Sequence, residues 1–167
     1  MAFCFGSTQR EEMLYRLYTP GDFAALYAIE EICFQPPLRF DRDYMQRLVR
    51  RPTSATWIVE EDGRMAGFAI VEWARKPAGV VAYIATIEVA PEYRQRGVGG
   101  ELLRRVEHSA LAAEAATLWL HVDARNAGAI RLYEAHGYRH EGREENFYPS
   151  RRAALIYRKA LHPPAAG

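Results

Sequence analysis

Apolar residues recur along the chain in two rhythms, period two and period three to four, and their succession predicts the order of elements. "LYRLYT" (14–19) alternates as a first strand. Thr19-Pro20-Gly21-Asp22 reads as a helix start, with proline early and an acid in the first turn. Phe23, Leu26, Tyr27, Ile29 and Ile32 continue at helical spacing until "QPPLRF" (35–40) breaks the pattern. Asp41 can cap a second helix through Tyr44, Leu48 and Val49, stopped before Pro52. "TWIVEE" (56–61) and "MAGFAIVEW" (65–73) flank Asp62-Gly63, the pattern of two strands joined by a hairpin turn. "GVVAYIATIEVA" (79–90) is a long β-branched run suited to a central strand. Residues 96–114 carry Leu102, Leu103, Val106, Ala110 and Ala113 on one helical face, and "TLWLHV" (117–122) is another strand. Asn126 to His136 forms a short helix ended by Gly137 as a left-handed cap. "YRHEGREENFY" (138–148) and "AALIYRKAL" (153–161) supply two last strands.

Neither repeats nor low-complexity stretches interrupt this succession, so one domain of mixed α and β is expected over residues 13–161, with a flexible leader (1–12) and tail (162–167). At 167 residues, 49% hydrophobic and 26% charged, the chain can bury one ordinary core. The formal net charge of +1 argues against a nucleic-acid or membrane-surface partner. Cys4 and Cys33 are too few for a disulfide framework and lack a companion His and acid, so both are expected to be inert. The apolar start (1–6) lacks the charge and length of a secretory signal, and no run approaches the roughly 18 residues of a membrane span. A cytoplasmic protein is expected. His136 and His140 have helical metal spacing, but Gly137 falls between them, so no metal site is expected.

Candidate chemistry concentrates in "PEYRQRGVGGELL" (91–103), between the strongest strand and the strongest helix. Amides at a helix N-terminus lack intrahelical acceptors and sit at the positive end of the helix dipole. Glycines let an anion approach them, so a phosphate site is expected, with Arg94 and Arg96 adding charge at its rim. Gly100-Glu101-Leu102 is not the Gly-Lys-Ser/Thr ending of a Walker loop, and Leu102 stands where a dinucleotide fingerprint needs glycine. On these residues alone, a ligand-free strand-to-helix turn remains the alternative.

Arg94-Gln95-Arg96-Gly97-Val98-Gly99 resembles the Q/R-x-x-G-x-G/A motif of the GNAT superfamily of acetyl-CoA-dependent N-acetyltransferases. It follows Ile87-Glu88-Val89-Ala90-Pro91-Glu92-Tyr93, similar to that family's I-x-V-x-P-x-Y/F strand end. "NAGAIRLYEAHGY" (126–138) resembles its N-x-x-A-x-x-L-Y-x-x-x-G-F/Y helix. Within the superfamily, "LWLHVDARNAGAIRLYEAHGYRHEGREENFYP" (118–149) is most similar to the RimI-like N-terminal acetyltransferases of ribosomal proteins.

The resemblance implies a single-domain α/β (α+β) GNAT fold: a mixed sheet of six to seven strands, about four helices, and a splayed strand pair holding acetyl-CoA. The coenzyme's diphosphate would lie on the loop amides from Gln95 to Gly100, and its pantetheine arm would pair with the strand edge at Ile87 to Val89. Asn126 would contact that arm, while its residue type and position also suit a helix N-cap. Direct attack of a neutral amine on the thioester needs a base, donors for the carbonyl oxygen, and an acid for the leaving thiolate. Tyr133 matches the family's acid, and a phenol with an ordinary pKa of ~10 is protonated at neutral pH. The Val89 amide would be the carbonyl donor.

The base is where this chain departs from the family pattern. RimI-like enzymes carry glutamate in L-E-V-R, whereas this chain reads Leu120-His121-Val122-Asp123. His121, Glu88, a water chain and an acceptor that arrives neutral all stay open. Phe34, Leu38 and Phe40 in "FQPPLRF", with Phe147 and Tyr148 facing them from a far strand, would border the acceptor. Glu30, Glu31 or Glu88 nearby would suit a cationic amine. The expected acceptor is a protein or peptide N-terminal amine. A small amine (polyamine, amino acid or aminoglycoside) and a non-catalytic acyl-CoA-binding module are the alternatives. Either a monomer or a homodimer is compatible with the sequence.

Overall fold

The computed structural model describes residues 12–149 and 151–162; the expected leader up to residue 11, with Cys4, and the tail from 163 lie outside them. Among the described residues seven strands form one sheet: β1 (Leu14–Leu17), β2 (Ser54–Glu61), β3 (Arg64–Lys76), β4 (Gly79–Val89), β5 (Ala115–Asp123), β6 (Arg139–Glu144) and β7 (Ala154–Ala160). Four α-helices accompany them among the described residues: α1 (Phe23–Cys33), α2 (Arg42–Arg50), α3 (Val98–Ala112) and α4 (Ala127–Ala135). The sheet order is β1-β2-β3-β4-β5-β7-β6, and only the β4–β5 pair is parallel.

Local chemistry accounts for the turns. Asp62 and Gly63 take φ of 50° and 71°, the left-handed pair that a two-residue hairpin requires to follow strand twist. Asp41 Oδ1 accepts from Tyr44 N–H at 3.1 Å and starts α2. One expectation fails here. Residues 145–148 do not extend β6, which ends at Glu144, so Phe147 and Tyr148 lie in the loop before β7 rather than on a strand. Asn146 in that loop has φ of 55°, incompatible with regular strand.

Helices cover both faces. Trp57 Nε1–H on β2 donates to Ser109 Oγ of α3 at 2.9 Å, so the face that carries Trp57 and its partner Ala69 looks toward α3. The opposite face of β2 and β3, with Ile58, Phe68 and Ile70, packs under α1 and α2 through Leu26, Met45 and Leu48, all fully buried. Along β5 the residues alternate. Leu118, Leu120 and Val122 are buried toward the α3 side, while Trp119 and His121 on the other face are only partly covered.

The decisive irregularity lies in β4. Tyr83 pairs with Glu72 and Ile84 with Val71, but Thr86 pairs with Ile70, so Ala85 is an extra residue, a β-bulge. β4 pairs with β5 only from Val80 to Ile84, although the strands run on to Val89 and Asp123. Past the bulge the two central strands part.

Candidate active site

A slot of about 800 Å3 occupies the gap between the parted strands. One wall is the open edge of β4. Ala90 N–H donates to Ala66 O on β3 at 2.8 Å. Amides alternate in direction along an extended strand, so those of Val89 and Ile87 point away from β3 and into the slot. The other wall is α4, which contributes Leu132 and Tyr133, and the N-terminus of α3 closes one end.

Gln95 and Gly97 adopt φ of 60° and 78°, turning the chain so that α3 begins facing the slot. Gly97 is the N-cap and supplies no side chain. The first i-to-i−4 bond of α3 runs from Glu101 N–H to Gly97 O (3.2 Å), so the amides of Val98, Gly99 and Gly100 have no intrahelical acceptor. The three glycines answer different needs. A Cβ on Gly97 would meet open space, and its left-handed backbone is what requires glycine. A Cβ on Gly99 would lie 3.3 Å from Leu132 Cδ2, and one on Gly100 3.1 Å from His136 Nε2. Those two glycines let α4 sit close against α3, which shapes the slot as much as it bares amides.

Arg94 lines the slot, but its Nε–H donates to Val89 O (3.0 Å), fixing the loop to the end of β4. Arg96 does not line the slot. It grips Glu61 through two hydrogen bonds, at 2.6 and 3.2 Å, and its guanidinium stands over the Tyr93 ring. It thereby ties the loop to β2.

Asn126 Oδ1 accepts from Ala129 N–H (3.1 Å) as the N-cap of α4, and the same residue borders the slot. Tyr133 is 7% exposed, its hydroxyl makes no hydrogen bond among the described residues, and burial holds its pKa above that of an ordinary phenol. Ile87, Val89, Gln95, Gly97, Val98, Gly99 and Gly100 also line the slot, as does Phe34. Leu38 and Phe40 do not; Phe40 packs on Tyr44 of α2, ring centroids 5.5 Å apart.

His121 projects from β5 onto the α1/α2 side and meets a partner that sequence reasoning missed. Tyr83 Oη lies 2.8 Å from His121 Nδ1. Burial raises the Tyr83 pKa strongly, so the phenol is neutral where it meets the imidazole. His121 Nε2 is buried without a hydrogen bond among the described residues, with Glu144 Oε1 at 3.4 Å. Phe147 stacks on the imidazole, centroids 4.1 Å apart and planes 15° apart, and Tyr148 meets Phe147 edge-on. Burial also pushes the Tyr148 pKa up to about 12. After burial, Tyr148 raises the pKa of both Tyr83 and Tyr133, and Tyr83 that of Tyr133.

Glu88 shares the face of Tyr83 but sits deep beneath α1, 3% exposed, beside Glu30. Glu30 Oε1 accepts from Phe40 N–H (2.7 Å), and the buried Glu30 and Glu88 carboxyls share a side-chain hydrogen bond. Burial, reinforced by the neighbouring carboxyl, drives the Glu88 pKa far up. Other slot residues absent from the expectations are Cys33, Tyr93, Gly128, Ala129, Arg131 and Leu132. Cys33 adjoins Phe34; Gly128, Ala129, Arg131 and Leu132 share α4 with Tyr133; and Tyr93 ends the strand-end motif before the glycine loop. Among the described residues no three His, Cys, Asp or Glu side chains are grouped to hold a metal, and no helix is long and apolar enough to cross a membrane.

The model of the acetyltransferase (GNAT) family matches residues 22–138. The chain belongs to that family. It is 37% identical over 90 residues to the [ribosomal protein bS18]-alanine N-acetyltransferase of Escherichia coli K12, a stretch covering 54% of this chain and 58% of that one. The chain thus spans little more than half the length of the curated relatives it matches first. The crystal structure of the ribosomal-protein-S18-alanine N-acetyltransferase from Escherichia coli superposes with a TM-score of 0.79 and 27% identity, covering 93% of this chain and 97% of that one. Arabidopsis thaliana NAA60 in complex with acetyl-CoA shares the fold, with a TM-score of 0.80, 23% identity, and 90% and 99% coverage.

Proposed function

We propose that this GNAT-family protein transfers an acetyl group from acetyl-CoA to the N-terminal amine of a protein or peptide. The observation that carries the reading is the slot itself. Bare amides of α3 stand at one end, outward amides of β4 form one wall, and Tyr133 sits on the other. These features fit a coenzyme A thioester. The amides of Val98, Gly99 and Gly100 would hold its diphosphate, and those of Ile87 and Val89 would receive the extended arm as an added strand. Bound there, acetyl-CoA supplies an activated acyl group.

The chain's own residues divide the remaining work. Tyr83 and His121 form the proton acceptor. As Tyr83 Oη takes a proton from the acceptor ammonium, directly or through one water, its own proton passes 2.8 Å to His121 Nδ1. The imidazolium so formed keeps its Nε2 proton toward Glu144. Tyr133, held protonated by burial, donates to the leaving sulfur. Glu88 stays protonated and serves as a wall of the site, since its environment opposes the charged form a base needs.

Measuring free thiol released from acetyl-CoA with a panel of peptides tests this. Tyr83→Phe should keep the thermal stabilisation given by acetyl-CoA and lower kcat by ~10²-fold, the usual range for losing one acid–base group. Undiminished kcat in both Tyr83→Phe and His121→Ala would refute the pair as proton acceptor.

A further inference from the structure

A second hollow, of about 530 Å3, opens on the α1/α2 side of the sheet beyond the end of α2. This falls within the ~300–1,000 Å3 of ligand clefts. Its floor is aromatic: the Tyr83 and Trp119 rings lie 4.6 Å apart, tilted by 59°. It adjoins the proposed proton acceptor, because Tyr83 belongs to both and the Trp119 ring is 5.1 Å from that of His121. Trp119 and His121 are in line on one face of β5, Trp119 partly covered and His121 capped by the Phe147 ring.

The charges at the rim are unequal. Arg51 and Glu72 pair at 3.0 Å and cancel. Lys76 also lines the hollow and has no ion-pair partner among the described residues, so the hollow is net positive. A polyamine or aminoglycoside lying there would meet like charge, and an acidic side chain would not.

We infer that this hollow receives the residues of the acceptor polypeptide that follow its acetylated amine, and that it selects an acidic side chain among them. The inference rests on the acyl-transfer reading above. An amine at Tyr83 and His121 needs a way out for the rest of its chain. Tyr83 itself lines the hollow, and from it the way runs past Trp119 toward Lys76, beside His121 and the Phe147 ring stacked on it; flat rings suit both peptide planes and side chains.

The test uses two hexapeptides with the same first residue, carrying either Asp or Lys at the third and fourth positions. Thiol release gives kcat/KM for each. The Asp peptide should be favoured about threefold per charge, the size of one exposed ion pair, and the preference should shrink at high salt. Lys76→Glu should invert the ratio while leaving turnover of a dipeptide amide unchanged. A ratio near one, or one unaltered by Lys76→Glu, overturns the inference while acetyl transfer stands. Turnover of spermidine or an aminoglycoside with no peptide turnover overturns the acceptor reading instead. Quenching of the Trp119 fluorescence, identified by its loss in Trp119→Phe, then judges the hollow separately. Equal affinity for the two hexapeptides would sink it.

Discussion

Gly67 lies in β3 opposite Val89, and an alanine there tests whether the geometry of the slot depends on how closely β3 can approach β4. Its backbone is ordinary strand, so glycine's conformational freedom is not the reason for its presence. Space is. A Cβ at this position would fall 2.5 Å from Glu88 O and 3.2 Å from Val89 Cα, whereas real Cβ atoms essentially never come within 3.0 Å. The obstructing atoms are backbone, so no rotamer relieves the contact, and the strands must separate by at least 0.5 Å, the difference between 3.0 and 2.5. The neighbouring Ala90 N–H to Ala66 O bond, at 2.8 Å, lies where that separation occurs. Overpacking without an escape route costs about 2–3 kcal/mol, the upper part of its usual span. At ~2–4 °C per kcal/mol for a chain of this size, Gly67→Ala should lower the Tm by about 4–12 °C. The same displacement moves the Val89 amide, so stabilisation by acetyl-CoA should shrink as well. Thermal melts with and without acetyl-CoA measure both. A Tm within about 2 °C of the parent, with the coenzyme effect intact, would refute the close approach of β3 to β4 as the reason for glycine.

Two further predictions concern pH. The Glu88 pKa in the folded chain lies above its ordinary 4.5, so its contribution to stability is complete below about pH 4.5 and is lost as pH rises. Glu88→Gln should therefore gain Tm over the parent at pH 8 and gain less at pH 5; a constant difference would show that the buried carboxyl does not titrate with unfolding. Asp22 behaves oppositely: two hydrogen bonds from Arg16, each 2.8 Å, hold its pKa at about 2, below 3.8. Its stabilisation is present above about pH 4 and is lost as pH falls toward about 2, so Asp22→Asn should be less stable at neutral pH and show a shallower acid decline in urea titrations.

The elements were legible in the sequence wherever one rhythm dominated. Apolar periodicity located α1, α2, α3 and β4, and Asp62-Gly63 located the hairpin, because each depends on near neighbours in the chain. "YRHEGREENFY" misled because one strand was read through to Tyr148 while Asn146 turns the backbone with a positive φ that the surrounding residue types do not announce. The slot residues on the glycine loop and on α4 could be read off motifs whose chemistry is largely backbone and therefore local. The Arg96–Glu61 pairing could not be read because the two lie 35 residues apart, a separation that no local pattern reports. Tyr83 was missed for the same reason: within "AYIATIEV" it is one more strand aromatic, and only the parallel register with β5 sets its hydroxyl beside His121.

That register also explains why one extra residue matters to the site. Without the bulge at Ala85, strict alternation would put Ile84, Thr86 and Glu88 on one face, the face turned toward α3. With it, Glu88 shares the face of Tyr83, Ile70 and Phe68, and its carboxyl meets Glu30 of α1 rather than the apolar side chains of α3. The same extra residue bends the bulged strand, and pairing with β5 stops at Ile84 and Leu120, immediately before it. Opening the edge of β4 and gathering the polar groups around His121 are therefore one structural event. A change that restored regular pairing at Ala85 would close the slot and turn Glu88 to the opposite face together, which is why neither feature can be altered at this point of the strand without the other.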